Sequence, residues 1–171
     1  MERYILNLGS NRPGRFRYIL SAAKRLEGLG ALKSLSRLYL TEPVGPSWSW
    51  FLNLSLLLET DLKPLGLLEA VKGIERLLGR STPYRWGPRE IDIDIILWDK
   101  GSFNSPELVI PHISYQERAF VLVPLMDLSG LEHFGMDKPG LARLVEKVKS
   151  KRVIPLYTAS KYLYLKVKVG G

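Results

Sequence analysis

Two spacings of apolar residues alternate along the first hundred positions. Residues 4–8 form an apolar run closed by the turn residues Gly9, Ser10 and Asn11, and Phe16, Ile19, Leu20, Ala23 and Leu26 follow at the spacing of one helical face. Residues 32–41 read as a second strand. The stretch "FLNLSLLLE", beginning at Phe51, reads as a third, with Leu52, Leu54, Leu56 and Leu58 on one face and Phe51, Asn53 and Ser55 on the other. Pro64 opens a second helix whose stripe of Leu67, Val71, Ile74 and Leu78 ends at Gly79, and "EIDIDII" supplies a fourth strand. The order β-α-β-β-α-β predicts an α+β fold of the ferredoxin-like kind, an antiparallel sheet with helices packed on one face.

The last forty residues read differently. Along "KYLYLKVKV", Leu163, Leu165, Val167 and Val169 alternate with Tyr162, Tyr164, Lys166 and Lys168, a pattern that predicts an added edge strand whose lysines discourage further pairing. Residues 130–171 are therefore expected to append a helix and an edge strand to a single domain spanning 1–171, a length sufficient for one sizeable core. The net charge of +8 belongs to this tail: residues 138–171 carry nine Lys or Arg against Glu146 alone, and residues 1–137 are neutral. A polyanion partner would have to be argued from the tail. With no cysteine, thiolate catalysis and Cys-based metal sites are excluded. The first residues lack the order of a signal peptide and no apolar run approaches the roughly 18 residues of a membrane span, so the expected location is the cytoplasm, without a membrane partner.

One feature of the fourth strand calls for chemistry. Alternation puts Ile91, Ile93 and Ile95 on one face and Glu90, Asp92 and Asp94 on the other, with the two aspartate Cα atoms about 6.6 Å apart, within reach of one cation or a bridged pair. A strand showing an acidic face to water would look the same in isolation. Its surroundings tip the balance. Arg80, Arg85 and Arg89 all precede Asp92 within a short stretch, and guanidinium groups beside a cation-binding carboxylate pair suit a polyphosphate. Two loops rich in Gly, Pro, Ser and aromatic residues, "EPVGPSWSW" and "RSTPYRWGP", flank the starts of the third and fourth strands and read as lids.

The blocks "LGSN" at 8–11, "EPVG" with "FLN" at 51–53, "IERLLGR" at 74–80, "RWGPREIDIDII", and "IPHISYQERAFVLVPL" follow one another in an order that resembles the 6-hydroxymethyl-7,8-dihydropterin pyrophosphokinase (HPPK) family of folate biosynthesis, over residues 1–129. The resemblance implies transfer of diphosphate from ATP to the hydroxymethyl group of the dihydropterin, with release of AMP. It implies Asp92 and Asp94 as ligands of two Mg²⁺ ions, and Arg80, Arg89, His112 and Arg118 as groups at the transferred phosphates. Thr41, Val44, Phe51, Asn53 and Phe120 would hold the pterin; Lys72, Glu75, Trp86 and Ile95 would add to the nucleotide site. The chain departs from the family at Phe51, often Tyr, at Ile113, often Pro, at Lys72, often Gln, and in having only Arg85 as a basic residue between Arg80 and Trp86. The competing reading from element order and basic tail is an RNA-binding module of the RRM type. The third strand lacks that module's aromatic signature, and no nucleic-acid partner is expected.

Overall fold

The computed structural model describes residues 1–43, 49–80, 88–148 and 152–170. The chain runs β1 (Glu2–Ser10), α1 (Arg15–Glu27), β2 (Ala31–Leu35), β3 (Tyr39–Thr41), β4 (Phe51–Thr60), α2 (Pro64–Leu77), β5 (Asp92–Trp98), β6 (Phe103–Asn104), β7 (Val109–Ile110), α3 (Ala119–Leu125), α4 (Lys138–Lys147), β8 (Val153–Pro155) and α5 (Tyr157–Lys166). The main sheet is antiparallel in the order β5-β1-β4-β3-β8, with β2 also pairing to β4. The first four predicted strands and both predicted helices are present, within a few residues of the expected limits.

Each face of this sheet buries its own apolar set. Tyr4, Leu6, Leu8, the four even-numbered leucines of β4, Ile93 and Ile95 pack with Ile19, Ala22, Ala23 and Leu26 of α1 and Leu67, Val71 and Ile74 of α2. On the opposite face Ile5, Ile96 and Leu97 meet Val121, Leu122 and Leu125 of α3 and Leu141 of α4. A register shift opposite Ile5 and Leu6 inserts one residue into β5, which is why Ile96 and Leu97 turn to the same side. Helices thus cover both faces, where the sequence suggested one. The strand expected at 32–41 is split: Leu35 pairs with Leu56 but Tyr39 with Asn53, leaving an extra residue at a bulge where Ser36 Oγ accepts from Ser55 N–H at 2.9 Å.

The added edge strand exists, but at Val153–Pro155, paired with β3. The segment expected to form it is helical: Ser160, Leu163 and Val167 turn inward at helical spacing, while Leu165 is 76% exposed. A period-2 run contains i, i+4 pairs as well, and here Leu163 and Val167 are the pair that the core accepts. No helix among the described residues is long and apolar enough to cross a membrane.

The sheet has two distinct ends. Met1 and Gly170 lie at one: the amino terminus is 3.9 Å from Asp61, and Gly170 N–H donates to Leu32 O at 2.8 Å, beside the end of β4. Gly9, Ser10, Phe51, Asn53 and Asp92 lie at the other.

Candidate active site

At that second end, the sheet face that α3 and α4 cover elsewhere becomes polar. One rung runs Asp92, Gly9, Asn53, Tyr39 across four strands, and the neighbouring rung runs Asp94, Asn7, Ser55. The carboxylates of β5 therefore sit two strands from Asn53, roughly 10 Å away at the usual interstrand spacing. Between them the chain carries no side chain. A Cβ at Gly9 would approach Asn53 Oδ1 to 2.9 Å and Phe51 to 3.7 Å, so glycine keeps the floor open between the acidic and amide sides. Asn53 is held by donating to Thr41 Oγ1 at 2.6 Å, and both residues are buried. Asn7 Nδ2 donates to Ser55 Oγ at 3.0 Å and to Phe120 O at 3.3 Å, tying the floor to the start of α3. The Arg118 guanidinium lies 5.6 Å from the Phe120 ring centre.

Cations converge on the aspartates from three elements. After α2, Gly79 adopts φ +91° and Arg80 N–H donates back to Glu75 O at 3.1 Å, a helix-ending turn that sends the Arg80 side chain toward β5. Arg80 Nη1 is 2.7 Å from Asp92 Oδ1 and Arg89 Nη1 is 2.5 Å from Asp92 Oδ2; Arg118 Nη1 is 3.8 Å from Asp94 Oδ2. Glu75, 2% exposed, steers this set from below: one oxygen accepts from Arg80 at 2.6 Å and from Ile93 N–H at 2.8 Å, the other from Lys72 at 2.9 Å. Burial, reinforced by the charge of Asp92 and moderated by Arg118, pushes the Asp94 carboxyl up to about 6. His112 is held below the usual imidazole value by burial and by Arg118. Its Nδ1 accepts from Ser114 N–H at 3.3 Å, so in the neutral ring the proton sits on the other nitrogen, free to donate.

Among the described residues no three His, Asp or Glu side chains gather as a protein-only metal cage. Two carboxylates on alternate strand positions, one of them costly to ionise, fit a hard divalent ion that takes its remaining ligands from water and phosphate oxygens. Glu90, expected on the same face, lies before β5 and pairs with Arg12 at 3.0 Å instead. Ile95 points into the α1–α2 core, so its side chain does not reach the cleft. Val44 and Trp86 lie outside the described residues, as does Arg85.

Several contributors were not singled out from sequence. Asn11 N–H donates to Arg89 O at 3.2 Å while its side-chain oxygen accepts from Arg89 N–H at 2.7 Å, and its carbonyl accepts from Ser49 Oγ at 2.8 Å. One residue thereby anchors the chain just before Phe51 and just before Asp92. Asn7 and Gly9 were legible in principle, as polar and small positions alternating in an otherwise apolar strand. Lys147 and Arg152 had no such signal. They line a cavity of about 460 Å³ together with Thr41, Arg118 and Phe120.

Residues 5–130 match the family described as 7,8-dihydro-6-hydroxymethylpterin-pyrophosphokinase. A 2-amino-4-hydroxy-6-hydroxymethyldihydropteridine pyrophosphokinase of Methylorubrum extorquens is 39% identical over 132 residues, covering 75% of this chain and 84% of that protein. The protein of the same description in Pseudomonas aeruginosa is 40% identical over 132 residues, covering 75% and 82%. Among solved structures, the HPPK-DHPS of Plasmodium falciparum with pteroate superposes with a TM-score of 0.67 at 18% identity, a likeness of fold; it covers 85% of this chain, which spans 44% of that one. The chain belongs to the 7,8-dihydro-6-hydroxymethylpterin-pyrophosphokinase family, transferases of folate biosynthesis.

Proposed function

We propose that this cleft transfers the β,γ-diphosphate of ATP to 6-hydroxymethyl-7,8-dihydropterin, giving the pterin diphosphate and AMP. The observation that carries the reading is the pairing of Asp92 and Asp94 with Arg80, Arg89 and Arg118, one bare glycine away from the Asn53–Thr41 amide–hydroxyl pair. The two sides of the cleft have opposite chemistry. The cationic side suits a polyphosphate; the side bounded by Phe51, Asn53 and Phe120 suits a flat heteroaromatic ring with hydrogen-bonding edges.

In the step itself the hydroxymethyl oxygen bonds to the β-phosphorus, the bond from that phosphorus to the α,β-bridging oxygen breaks, AMP leaves with the bridging oxygen, and the hydroxyl proton passes to water. Such a displacement depends on alignment and charge stabilisation more than on a strong base. Asp92 and Asp94 would hold two Mg²⁺ ions, which when bound screen the phosphate oxygens and make the β-phosphorus more electrophilic. Arg80 and Arg89, now leaning on Asp92, would exchange that carboxylate for phosphate oxygens. Neutral His112 would donate its ring N–H to the transferred group. Asn53, fixed by Thr41, would read the pterin edge.

The test is product analysis with ATP, Mg²⁺ and the dihydropterin. AMP and pterin diphosphate formed in equal amounts, and neither formed without the pterin, is the expected result. ADP as the nucleotide product, or AMP release indifferent to the pterin, would overturn the reading.

A further inference from the structure

The family match ends at residue 130, yet the chain beyond it reaches the cleft. β8 adds to the sheet beside β3, with Val153 opposite Thr41. One residue earlier, the Arg152 backbone is bonded to Glu42 twice: Glu42 N–H donates to Arg152 O at 3.1 Å, and Arg152 N–H donates to the Glu42 side chain at Oε2, 3.0 Å away. Its guanidinium then bridges two partners, Glu42 Oε1 through Nε at 3.2 Å and Nη2 at 3.1 Å, and the Trp50 ring, whose centre is 4.8 Å from Cζ. Glu42 follows Thr41, the residue that fixes Asn53, and Trp50 precedes Phe51. Trp50 O also accepts from Arg15 at 2.9 Å, so its backbone is held from the β1–α1 side while Arg152 covers its ring.

We propose that Arg152 is a positioning residue for the pterin side of the cleft, acting through Glu42 on Thr41 and Asn53 and through Trp50 on Phe51. The inference rests on the reading of this cleft as a pterin site. The chemistry asks for arginine: a planar guanidinium can lie over an indole while its edge forks to a carboxylate, and an ammonium cannot do both. The contact also lies where a tail residue can matter, since Arg152 and Val153 line the same cavity as Thr41 and Phe120. The side chain is 69% exposed, so the ion pair alone is worth little. Its effect comes from holding two cleft-bordering residues in one arrangement. Removing it leaves the β3–β8 backbone ladder in place, and the fold with it.

The experiment titrates the dihydropterin into wild-type, Arg152→Ala and Arg152→Lys protein in the presence of Mg²⁺ and a non-transferable ATP analogue, and measures steady-state kinetics beside it. Arg152→Ala should weaken pterin binding about five- to tenfold, the scale of a cation–π contact plus a fork, with ATP KM and kcat at saturating pterin unchanged. Arg152→Lys should restore only part of it. Glu42→Gln should weaken pterin binding in the same way, and the double variant Arg152→Ala/Glu42→Gln no more than Arg152→Ala alone; should Arg152→Ala fail to fold, Glu42→Gln and Arg152→Lys alone still test the role. An unchanged pterin Kd, or equal losses for pterin and ATP, overturns the positioning role. A wild-type protein that does not bind the pterin overturns instead the reading of the cleft on which it rests.

Discussion

Asp92 neutralises Arg80 and Arg89, whereas among the described residues Asp94 is ion-paired to Arg118 alone, at 3.8 Å, and is costly to ionise. Replacing either by Asn should therefore separate activity from stability. Losing one preorganised charge contact in a phosphoryl site costs on the order of 10²–10³ in kcat, so AMP release should fall by at least that much. Thermal unfolding should show both variants folded, Asp94→Asn at least as stable as the parent at pH 7 to 8, because a group penalised by burial has been made neutral. Near-parental turnover in both variants would remove the aspartates from the chemistry. Gly9 allows a subtler test. The added methyl of Gly9→Ala meets the Asn53 side chain at 2.9 Å, and that side chain cannot swing away without breaking its 2.6 Å bond to Thr41. The pterin KM should rise about tenfold or more, the cost of a buried polar group left unpaired, with ATP KM little changed. These two residues also show what a sequence can reveal at this scale. Asp92 and Asp94 announce themselves because two carboxylates interrupt an apolar strand. The dependence of Asn53 on Thr41 and Gly9 is invisible, because those contacts run between strands whose register no local pattern states.

At the scale of elements, a cluster around Arg37 ties the C-terminal part of the molecule to the sheet. Arg37, at the bulge between β2 and β3, holds Asp127 through Nη2 at 2.6 Å and Nε at 3.0 Å, lies between the rings of Tyr39 and Tyr157, and Tyr39 donates to the same carboxylate at 2.7 Å. Burial alone would raise the Asp127 pKa; the bonds from Arg37 and Tyr39 outweigh it and hold the carboxyl below its usual value. The folded protein thus binds this proton more weakly than the unfolded chain. The contribution is fully present above the ordinary carboxylate pKa of about 3.9 and is lost as pH falls through the lower folded value. Denaturant unfolding of Asp127→Asn against the parent should show a stability gap at pH 7 that narrows as the pH is taken below the ordinary carboxylate range. Helix α5 supplies another test. Leu163 is fully buried and Leu165 is 76% exposed, so Leu163→Ala should cost about 2–5 kcal/mol and Leu165→Ala under about 0.5 kcal/mol. An edge strand with both leucines on one face would make the two costs alike. The alternation predicts a strand because period alone cannot tell which of Leu163, Leu165 and Val167 meets a core. The β1, α1, β4 and α2 readings succeeded because their apolar spacing admitted one period only.

For the whole molecule, the sheet order and the helices on both faces decide what its surfaces can do. The RRM reading requires an open sheet face for stacking bases; here α3 and α4 pack on that face, and its polar rungs lie at one end of it. Element order was legible from sequence, but the second layer was not, because α3 is a seven-residue segment containing Pro124 that is apolar throughout and so marks no one face. Met1 and Gly170 sit at the pole away from Asp92 and Asn53, against Asp61 and Leu32. Sheet length then acts as a spacer. A protein or a bead tethered through either residue would dock behind the molecule, with the nine-residue span of β1 between the linker and the entering substrates. Attaching a fluorescent protein at Met1 or Gly170 through a short flexible linker should leave both KM values within about twofold of the parent, since exposed positions remote from a site tolerate additions. A severalfold rise in either constant would mean that the cleft communicates with the far pole, and that immobilising this enzyme in a working orientation needs an attachment point elsewhere.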